Sequence, residues 1–427
     1  MTGMIRRLVF SSAMHLVIAA GVSGVAAYVY LIVVARSVGP SEYSQFSLFW
    51  SVAVIAGLGL FLPLEQETSR VEASAQTKTA NTQRVIVLSV SFGAVIAAVA
   101  LCVVLVLTEV PSAQHQPQAL VFAIIATLVG YCVQFPVRGV LAGRGQLTSY
   151  AVIIGSEGAL RICLAIVISL VFPGSLGALA GVVAIASAAS VIPALISRRR
   201  RAGGTSRASI LVFGTGVARL VAAALMVQLL MNFPPLLAYL TTGGSSAVPG
   251  VLLAAVSLAR IPIFVYQSMQ GAILPRIARA IAQSDVTRVR RICILLISGC
   301  FVVASLWTAL LGLVGPALIR ILFGRAFEIP QGELAIVVGA LGLLLVAMVT
   351  SDCVMATGGH TFVTLSWMVG VLVAITVAGT LHDVILRSTL PVACGALMAL
   401  AILLVVLVVR IRAIRVPRTK FVNRSEA

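Results

Sequence analysis

Apolar runs of about 18 or more residues recur along the whole chain, and they restrict its fold more than any other feature. Each run is long enough to cross the roughly 30 Å hydrocarbon layer of a bilayer as a helix. The runs do not alternate between polar and apolar residues, as the strands of a membrane barrel would. Because 60% of the residues are hydrophobic and only 10% are charged, the chain has more apolar surface than one water-soluble domain can bury.

These runs predict an all-α integral membrane protein with about twelve transmembrane helices. The runs of the first half are 9–34, 44–64, 85–107, 119–141, 149–171 and 176–196. Those of the second half are 209–233, 248–271, 292–314, 333–351, 362–380 and 391–409. The first run follows Arg6 and Arg7 as a signal peptide would, but it is too long and shows no cleavage site. We therefore expect it to be retained as a helix.

Lys and Arg are distributed unevenly between the two sets of alternating loops. One set holds 23 of the 30 basic residues, whereas the opposite set holds only Arg36, Arg320, Arg325 and Arg387. Because cationic loops remain on the cytoplasmic side, both termini are predicted to be cytoplasmic. The net charge of +18 is then mainly a topology signal. A nucleic-acid partner is not expected, since the basic residues are dispersed over short loops without interleaved aromatic residues.

No residue pattern points to a cofactor, a metal site or catalysis. The seven cysteines are an odd number spread through apolar runs, without a CxxC pair or a histidine at metal-binding spacing. The glycine pairs at 143/145 and 214/216 lack the preceding strand and the Lys-Ser/Thr of a nucleotide-binding loop. A nucleophile, a base and an orienting group do not occur as a set. We therefore expect neither a cofactor nor an enzyme.

Three short segments recur at corresponding helix ends and predict a duplicated six-helix unit. Leu-Val-Phe at 8–10 returns at 211–213, Leu-Pro at 62–63 returns at 274–275, and segment 140–146 is similar to 354–360. The predicted units are a lobe at 1–200, a lobe at 207–409 and a basic cytoplasmic tail at 410–427. An even-numbered repeat keeps its orientation, so the two lobes should be related by an axis along the membrane normal, with the transport route between them.

Segment 35–46, Ala-Arg-Ser-Val-Gly-Pro-Ser-Glu-Tyr-Ser-Gln-Phe, resembles a pattern of the Wzx-type polysaccharide flippases, a family of the multidrug/oligosaccharidyl-lipid/polysaccharide exporter superfamily. Segments 273–278, Ile-Leu-Pro-Arg-Ile-Ala, and 321–324, Ile-Leu-Phe-Gly, are similar to further patterns of that family. The resemblance covers most of the chain. It departs at 64–70, Leu-Glu-Gln-Glu-Thr-Ser-Arg, where family members often continue with small residues and Arg-Tyr. The departure leaves the subfamily and its substrate open.

The resemblance implies a two-lobed helical bundle in the plasma membrane. It would move a polyprenyl-pyrophosphate-linked oligosaccharide to the outer leaflet by alternating access, for cell-surface polysaccharide biosynthesis. The implied partners are this lipid-linked glycan, membrane lipids, and the glycosyltransferases and polymerase of the same pathway. Two alternatives stay open. The first is a cation-coupled small-molecule exporter of the same superfamily, which would have acidic helix interiors when its substrates are cationic. The second is a non-transporting scaffold of a glycan-synthesis complex, which would not need charges inside its helices.

Three arginines, Arg161, Arg219 and Arg260, fall near the middle of the predicted spans five, seven and eight. Each would cost about 2.5–3.5 kcal/mol or more if it faced lipid, so we expect each to face the interior. Glu157 is the carboxylate predicted at a similar depth. The resulting excess of positive charge is suited to binding an anionic substrate. Arg219 and Arg260 are predicted to form the cationic site for the pyrophosphate together.

Glu157 and Arg161 are four residues apart, so they lie about 40° from each other around a helix. A local ion pair would allow Arg161 to be buried as a structural residue. A role of the pair in substrate binding or proton coupling is the alternative hypothesis.

Further polar residues lie on the same predicted spans. Gln267 shares a face of span eight with Arg260, and the adjacent Pro262 can kink this helix. Gln228 and Asn232 lie on span seven, on a face nearly opposite Arg219. These amides are predicted to contribute to substrate binding. His15 on span one is a candidate for proton coupling, although a histidine near a helix start is more often a hydrogen-bonded packing residue.

Overall fold

The computed structural model describes residues 2–75, 82–108, 118–193, 210–242, 246–283 and 285–413. The regular elements in these ranges are all helical, which confirms the predicted all-α class. In chain order they are α1 Thr2–Val54, a π-helical segment Ile55–Phe61, α2 Leu62–Ala75, α3 Thr82–Thr108, α4 Gln118–Gly143, α5 Leu147–Val171, α6 Leu176–Ala189, α7 Ile210–Thr242, α8 Val248–Ala259, α9 Ile261–Ala282, α10 Val286–Phe323, α11 Gln331–Ala356, α12 His360–Thr380 and α13 Val384–Ala413.

Nine helices of the described ranges are long and apolar enough to cross a membrane, and the bent pair α8–α9 raises the number to ten. The run Ile18–Ala73 is counted once but covers two predicted spans, and α6 is a shorter apolar helix. These two additions bring the number of spans to the predicted twelve. The chain is therefore a multi-pass membrane protein.

Helix α1 contains a chain reversal, so it forms two antiparallel arms rather than one rod. Gly39 has φ 78° and ψ 173°, and Pro40 begins the second arm. A side chain would strain this backbone, whereas glycine adopts it readily. The ring of Tyr30 lies 5.7 Å from that of Trp50, although twenty residues of straight helix would separate the two residues by about 30 Å.

Several helices are longer than the sequence predicted. The span 209–233 was expected to end before Pro234 and Pro235, but α7 continues through both prolines to Thr242 and has 33 residues. Neighbouring helices can satisfy the carbonyl groups that a proline leaves unbonded in a membrane helix. Likewise, α10 has 38 residues, although only 292–314 were predicted. The extension of α7 moves the middle of that helix away from Arg219.

The helices pack mainly with others of the same half of the chain. In the first half α1 packs against α5, and α4 packs against α2 and α6. In the second half α11 packs against α10 and α13, and α12 packs against α13. Helices α7 and α8 both contact α1, and α7 also contacts the π-helical segment. The domain boundaries 1–200 and 207–409 stay a prediction, and residues 414–427 of the predicted tail lie outside the described residues.

Two glycines allow α12 and α13 to approach closely. A Cβ atom on Gly370 would lie 2.8 Å from the carbonyl oxygen of Gly395, which is too close for any other residue type. Small residues at helix crossings are a common means of packing in membranes, because they allow van der Waals contact between backbones.

Candidate functional site

Polar side chains from three helices meet near the middle of the membrane. Tyr28 lies eleven residues before the turn of the first hairpin, and Asn232 lies ten residues before the end of α7. Arg260 directly follows the 12 residues of α8. At 1.5 Å per residue, each position is about 15–18 Å from the outer helix end, or half of a roughly 30 Å layer. We call Tyr28, Gln228, Asn232 and Arg260 the central cluster.

Arg260 occupies the break between α8 and α9, which meet at an angle of 45°. The bend predicted beside Pro262 is thereby confirmed. Arg260 is only 4% exposed, and its Nη2 donates to Oδ1 of Asn232 at 2.9 Å. Its Nε has no hydrogen-bond partner, and none of the ion pairs within the described ranges includes Arg260. A buried cation without a counter-charge is costly, so this position is suited to an anionic ligand.

The other residues of the central cluster orient or extend this site. Asn232 is fully buried, and its Nδ2 donates to the backbone carbonyl of Gln228 at 2.9 Å, which leaves Oδ1 for Arg260. The buried hydroxyl of Tyr28 has no hydrogen-bond partner. The ring of Tyr28 packs edge-on against that of Phe264, with centroids 5.7 Å apart. The cluster therefore brings a guanidinium group, two amides and a hydroxyl together.

The π-helical segment Ile55–Phe61 lies directly against Gln228. A Cβ atom on Gly59 would lie 3.5 Å from Cβ of Gln228 and 3.3 Å from Cα of Leu225, so the absent side chain allows close contact. This segment was not predicted, because its residues Ile-Ala-Gly-Leu-Gly-Leu-Phe have the pattern of an ordinary apolar helix. Single π-helical turns inside α-helices occur frequently at functional sites.

Glu157 and Arg161 form a second buried polar group, on α5. Their side chains make the predicted ion pair, and each residue is 8% exposed. Oε2 of Glu157 also accepts a hydrogen bond of 2.8 Å from Nε2 of Gln134, which bonds Ser190 as well. The pair thus links α5, α4 and the end of α6. This arrangement favours the structural interpretation of the pair, while its role in substrate binding or proton coupling stays a prediction.

Arg219 does not join the central cluster. It lies thirteen residues before Asn232, about 20 Å along the axis of α7. Its side chain is exposed and makes no ion pair or hydrogen bond with the part of the chain that the structure describes. The structure therefore does not bring Arg219 and Arg260 together on one pyrophosphate, contrary to the sequence-based expectation. The cause is the additional length of α7 beyond Pro235, which places Arg219 in the N-terminal third of the helix rather than near its middle.

Two further predicted site residues also lie away from the cluster. Gln267 is half-buried on α9, seven residues and about 10 Å from Arg260 on the same helix face. His15 is exposed on α1, thirteen residues and about 20 Å from Tyr28. Substrate binding by Gln267 and a coupling role for His15 both stay predictions.

Asp352 is a buried carboxylate of the second half that was not among the predicted site residues. The predicted span ended at residue 351, but α11 continues to Ala356 and Asp352 is 7% exposed. Its Oδ2 accepts hydrogen bonds from Tyr266 at 2.5 Å and from Gln270 at 2.6 Å. None of the ion pairs of the described residues includes it. The spacing of Tyr266 and Gln270, one helical turn apart on α9, is the signal that could have identified this group.

Ion pairs also join the first-half helices at the ends that are predicted to be cytoplasmic. Arg138 lies 3.0 Å from the buried Glu65, whose other oxygen accepts a 2.6 Å hydrogen bond from Tyr150. Arg144 lies 2.8 Å from Glu72. Both arginines were counted as topology signals, and their partners were missed because α2 continues beyond residue 64 to Ala75. Within the described ranges, no three His, Cys, Asp or Glu side chains are arranged to hold a metal ion.

No family model matches the sequence. An uncharacterized protein of Mycobacterium tuberculosis is 27% identical over 408 residues, which cover 91% of this chain and 90% of that protein. A second uncharacterized protein of the same species is 27% identical over 366 residues, which cover 83% of this chain and 80% of that protein. The names of these relatives state no activity.

Solved transporter structures share the architecture of the chain. An inward-facing MATE family transporter of the MOP superfamily superposes with a TM-score of 0.73 at 17% identity, over 92% of this chain and 95% of that one. The fold is that of a MATE transporter. An outward-facing MATE transporter gives a TM-score of 0.65 at 18% identity, over 94% and 96% of the two chains. A MOP superfamily transporter from Pyrococcus furiosus, described for the reverse polarity of its binding pocket, gives a TM-score of 0.65 at 18% identity. The match covers 95% of this chain and 96% of that one. At 17–18% identity, the likeness to these structures shows the fold alone.

Proposed function

We propose that the chain is a flippase that moves a polyprenyl-pyrophosphate-linked oligosaccharide from the cytoplasmic to the outer leaflet of the plasma membrane by alternating access. The product would enter cell-surface polysaccharide synthesis, with the glycosyltransferases and polymerase of that pathway as partners. The MATE fold supports transport. The resemblance of segments 35–46, 273–278 and 321–324 to polysaccharide flippases supports the glycan class.

The observation that carries the proposal is Arg260, buried at the middle of the membrane with a neutral amide as its hydrogen-bond partner. An arginine at this depth costs about 2.5–3.5 kcal/mol or more, unless something compensates its charge. A pyrophosphate would supply both the counter-charge and the paired oxygen acceptors that a guanidinium group binds best. The hydroxyl of Tyr28 and the amide of Gln228 would then remain for phosphate oxygens or sugar hydroxyls.

The test measures the leaflet distribution of lipid-linked glycan in cells that depend on this protein. Arg260→Ala should leave the protein inserted, because removal of a buried charge relieves a cost, but should trap the glycan on the cytoplasmic leaflet. Arg260→Lys should restore only part of the transport, since Lys lacks the planar pair of donors. Arg387→Ala is the matched control and should transport normally, because Arg387 bonds the backbone of Ala378 near the outer surface.

Normal translocation by Arg260→Ala would overturn the proposal and assign Arg260 a structural role.

A cation-coupled small-molecule exporter is the second candidate, and Asp352 favours it. A buried carboxylate without a basic partner in the described ranges can take up a proton or a metal cation. The distinguishing experiment reconstitutes the protein in liposomes and measures proton-driven export of a cationic dye. Export that Asp352→Asn abolishes would support this candidate, whereas no export by the wild-type protein would contradict it.

A further inference from the structure

Three of the four arginines that the charge distribution places outside line one pocket. Arg36, Arg320 and Arg325 surround a cavity of about 960 Å³ between the turn of the first hairpin and the end of α10. Glu328 is the acidic residue in the lining, so the pocket carries an excess of positive charge. Cationic residues are rare on this side of the protein, and their convergence on one cavity is unexpected for a surface that the positive-inside rule keeps poor in Lys and Arg.

Arg320 and Arg325 have their donors available. Both side chains are exposed, and neither makes a hydrogen bond or ion pair with any described residue. Glu328 forms no ion pair with them either. Each guanidinium group carries five N–H donors in a planar arrangement that matches two oxygens of a phosphate.

Arg36 holds the two halves of the chain together at this pocket. Its Nε donates to the carbonyl oxygen of Leu322 at 2.8 Å, and its Nη2 donates to that of Ile321. These carbonyls belong to the last turn of α10, where no further helical N–H groups are present to bond them. They also form the negative end of the helix dipole, which would repel an anion. Arg36 offsets that repulsion while it joins α1 to α10.

The same contact joins two of the segments that resemble the flippase family. Arg36 and Tyr43 belong to segment 35–46, and Ile321, Leu322 and Phe323 belong to segment 321–324. Beside the arginine, the buried ring of Tyr43 lies 6.3 Å from that of Phe323. The two segments are therefore the two sides of one contact between the halves of the chain.

We propose that this outer pocket is a binding site for a phosphate-containing anion, held by Arg320, Arg325 and Arg36. A charged phosphate oxygen accepts a stronger hydrogen bond than a backbone carbonyl does. A bound anion would thus draw Arg36 away from Ile321 and Leu322 and loosen the contact between α1 and α10. The anion is either the pyrophosphate of a transported lipid, in which case the site rests on the proposed function, or the phosphate of an outer-leaflet lipid headgroup.

The test titrates inorganic pyrophosphate into the full-length protein in phosphatidylcholine nanodiscs and measures heat of binding. Every variant is made in an Arg260→Gln background, so that the central cluster does not contribute to the measured pyrophosphate binding. The result is then independent of whether the proposed function is correct. The double variant Arg320→Gln/Arg325→Gln should weaken binding by roughly tenfold or more, because two charge-assisted pairs are lost. Both side chains are exposed, and an unchanged melting temperature verifies that the variant is folded. Arg387→Gln, the fourth outer arginine, is the matched control and should bind as its background does.

Absence of binding in the Arg260→Gln background would overturn the proposal. An equal loss of affinity in Arg387→Gln and in the double variant would also overturn it, since binding would then reflect general surface charge. A second set of nanodiscs containing phosphatidylglycerol distinguishes the sources of the anion. If pyrophosphate binds more weakly in the nanodiscs with phosphatidylglycerol than in those with phosphatidylcholine alone, the pocket binds lipid headgroups. If the affinity for pyrophosphate is the same in both, the pocket binds the pyrophosphate group. Both results support the site.

Discussion

The phenol hydroxyl of Tyr266 donates a 2.5 Å hydrogen bond to Oδ2 of Asp352 and so connects α9 to α11. The amide of Gln270 donates to the same oxygen from the next turn of α9. One carboxylate oxygen of the buried Asp352 thus accepts two hydrogen bonds. A buried polar group of this kind stabilises the fold while every member has its partner, and it becomes costly when one partner is removed.

Asp352→Leu should destabilise the protein more than Asp352→Asn does. Leucine removes the acceptor and leaves the donors of Tyr266 and Gln270 unbonded, at about 1–3 kcal/mol for each buried donor. Asparagine keeps an oxygen that can accept, so most of that loss should be avoided. The melting temperature of each purified variant in detergent measures the difference. Equal melting temperatures for Asp352→Leu and wild type would show that the contact does not hold α9 to α11.

Arg161→Leu should lower the amount of protein in the membrane, because it leaves the buried Glu157 without its counter-charge. Loss of one partner of a buried pair costs about 3–5 kcal/mol. The double variant Glu157→Gln/Arg161→Met should restore the amount, since glutamine can still accept from Gln134. Arg290→Ala, an exposed arginine of α10, controls for loss of a cation and should have no effect. Full abundance of Arg161→Leu with lost transport would instead assign Arg161 to the substrate.

Gly395→Ala should destabilise the packing of α12 against α13, because the backbones are too close for a methyl group. Overpacking of this kind costs about 1–3 kcal/mol. Gly379→Ala is the matched control on α12, since a Cβ atom there has nothing within 4 Å. Alanine has the higher helix propensity, so the control should be unchanged or slightly stabilised. Thermal unfolding in detergent compares the two variants, and a stable Gly395→Ala would contradict the close crossing.

Reporter fusions should place the loops as the distribution of basic residues predicts. Fusions after Arg207 and after Arg415 are expected to report the cytoplasm. Fusions near Gln114 and near Gly244 are expected to report the outside. All four positions lie outside the described residues. A cytoplasmic signal at Gln114 would contradict the predicted helix count.

The all-α class and the number of spans were predictable because both follow from the length of apolar runs, which a bilayer imposes directly. Helix ends were predicted less well, because the length of an apolar run does not determine where a helix ends. Runs such as 209–233 end where hydropathy falls or a proline occurs, whereas α7 passes Pro234 and Pro235 and extends to Thr242. A helix end depends on hydrogen bonds with neighbouring helices, and hydropathy does not contain that information.

The candidate site was predictable only in part. The pair of Glu157 and Arg161 could be predicted because its spacing lies within one helix, and Arg260 because its cost in lipid is high. The partners of Arg260 lie on other helices, so neither Tyr28 nor the hydrogen bond to Asn232 followed from spacing. Arg219 was misplaced because its depth was measured against a helix predicted too short.

The reversal at Gly39 gives the first hairpin a mechanical property. Because a single non-helical residue separates its arms, there is no slack chain in which one arm could move alone. The first arm carries Tyr28, and the second leads into the π-helical segment that lies against Gln228. The two arms should therefore move together as one rigid body. A tilt of this hairpin at the outer surface would displace both sides of the central cluster at the same time.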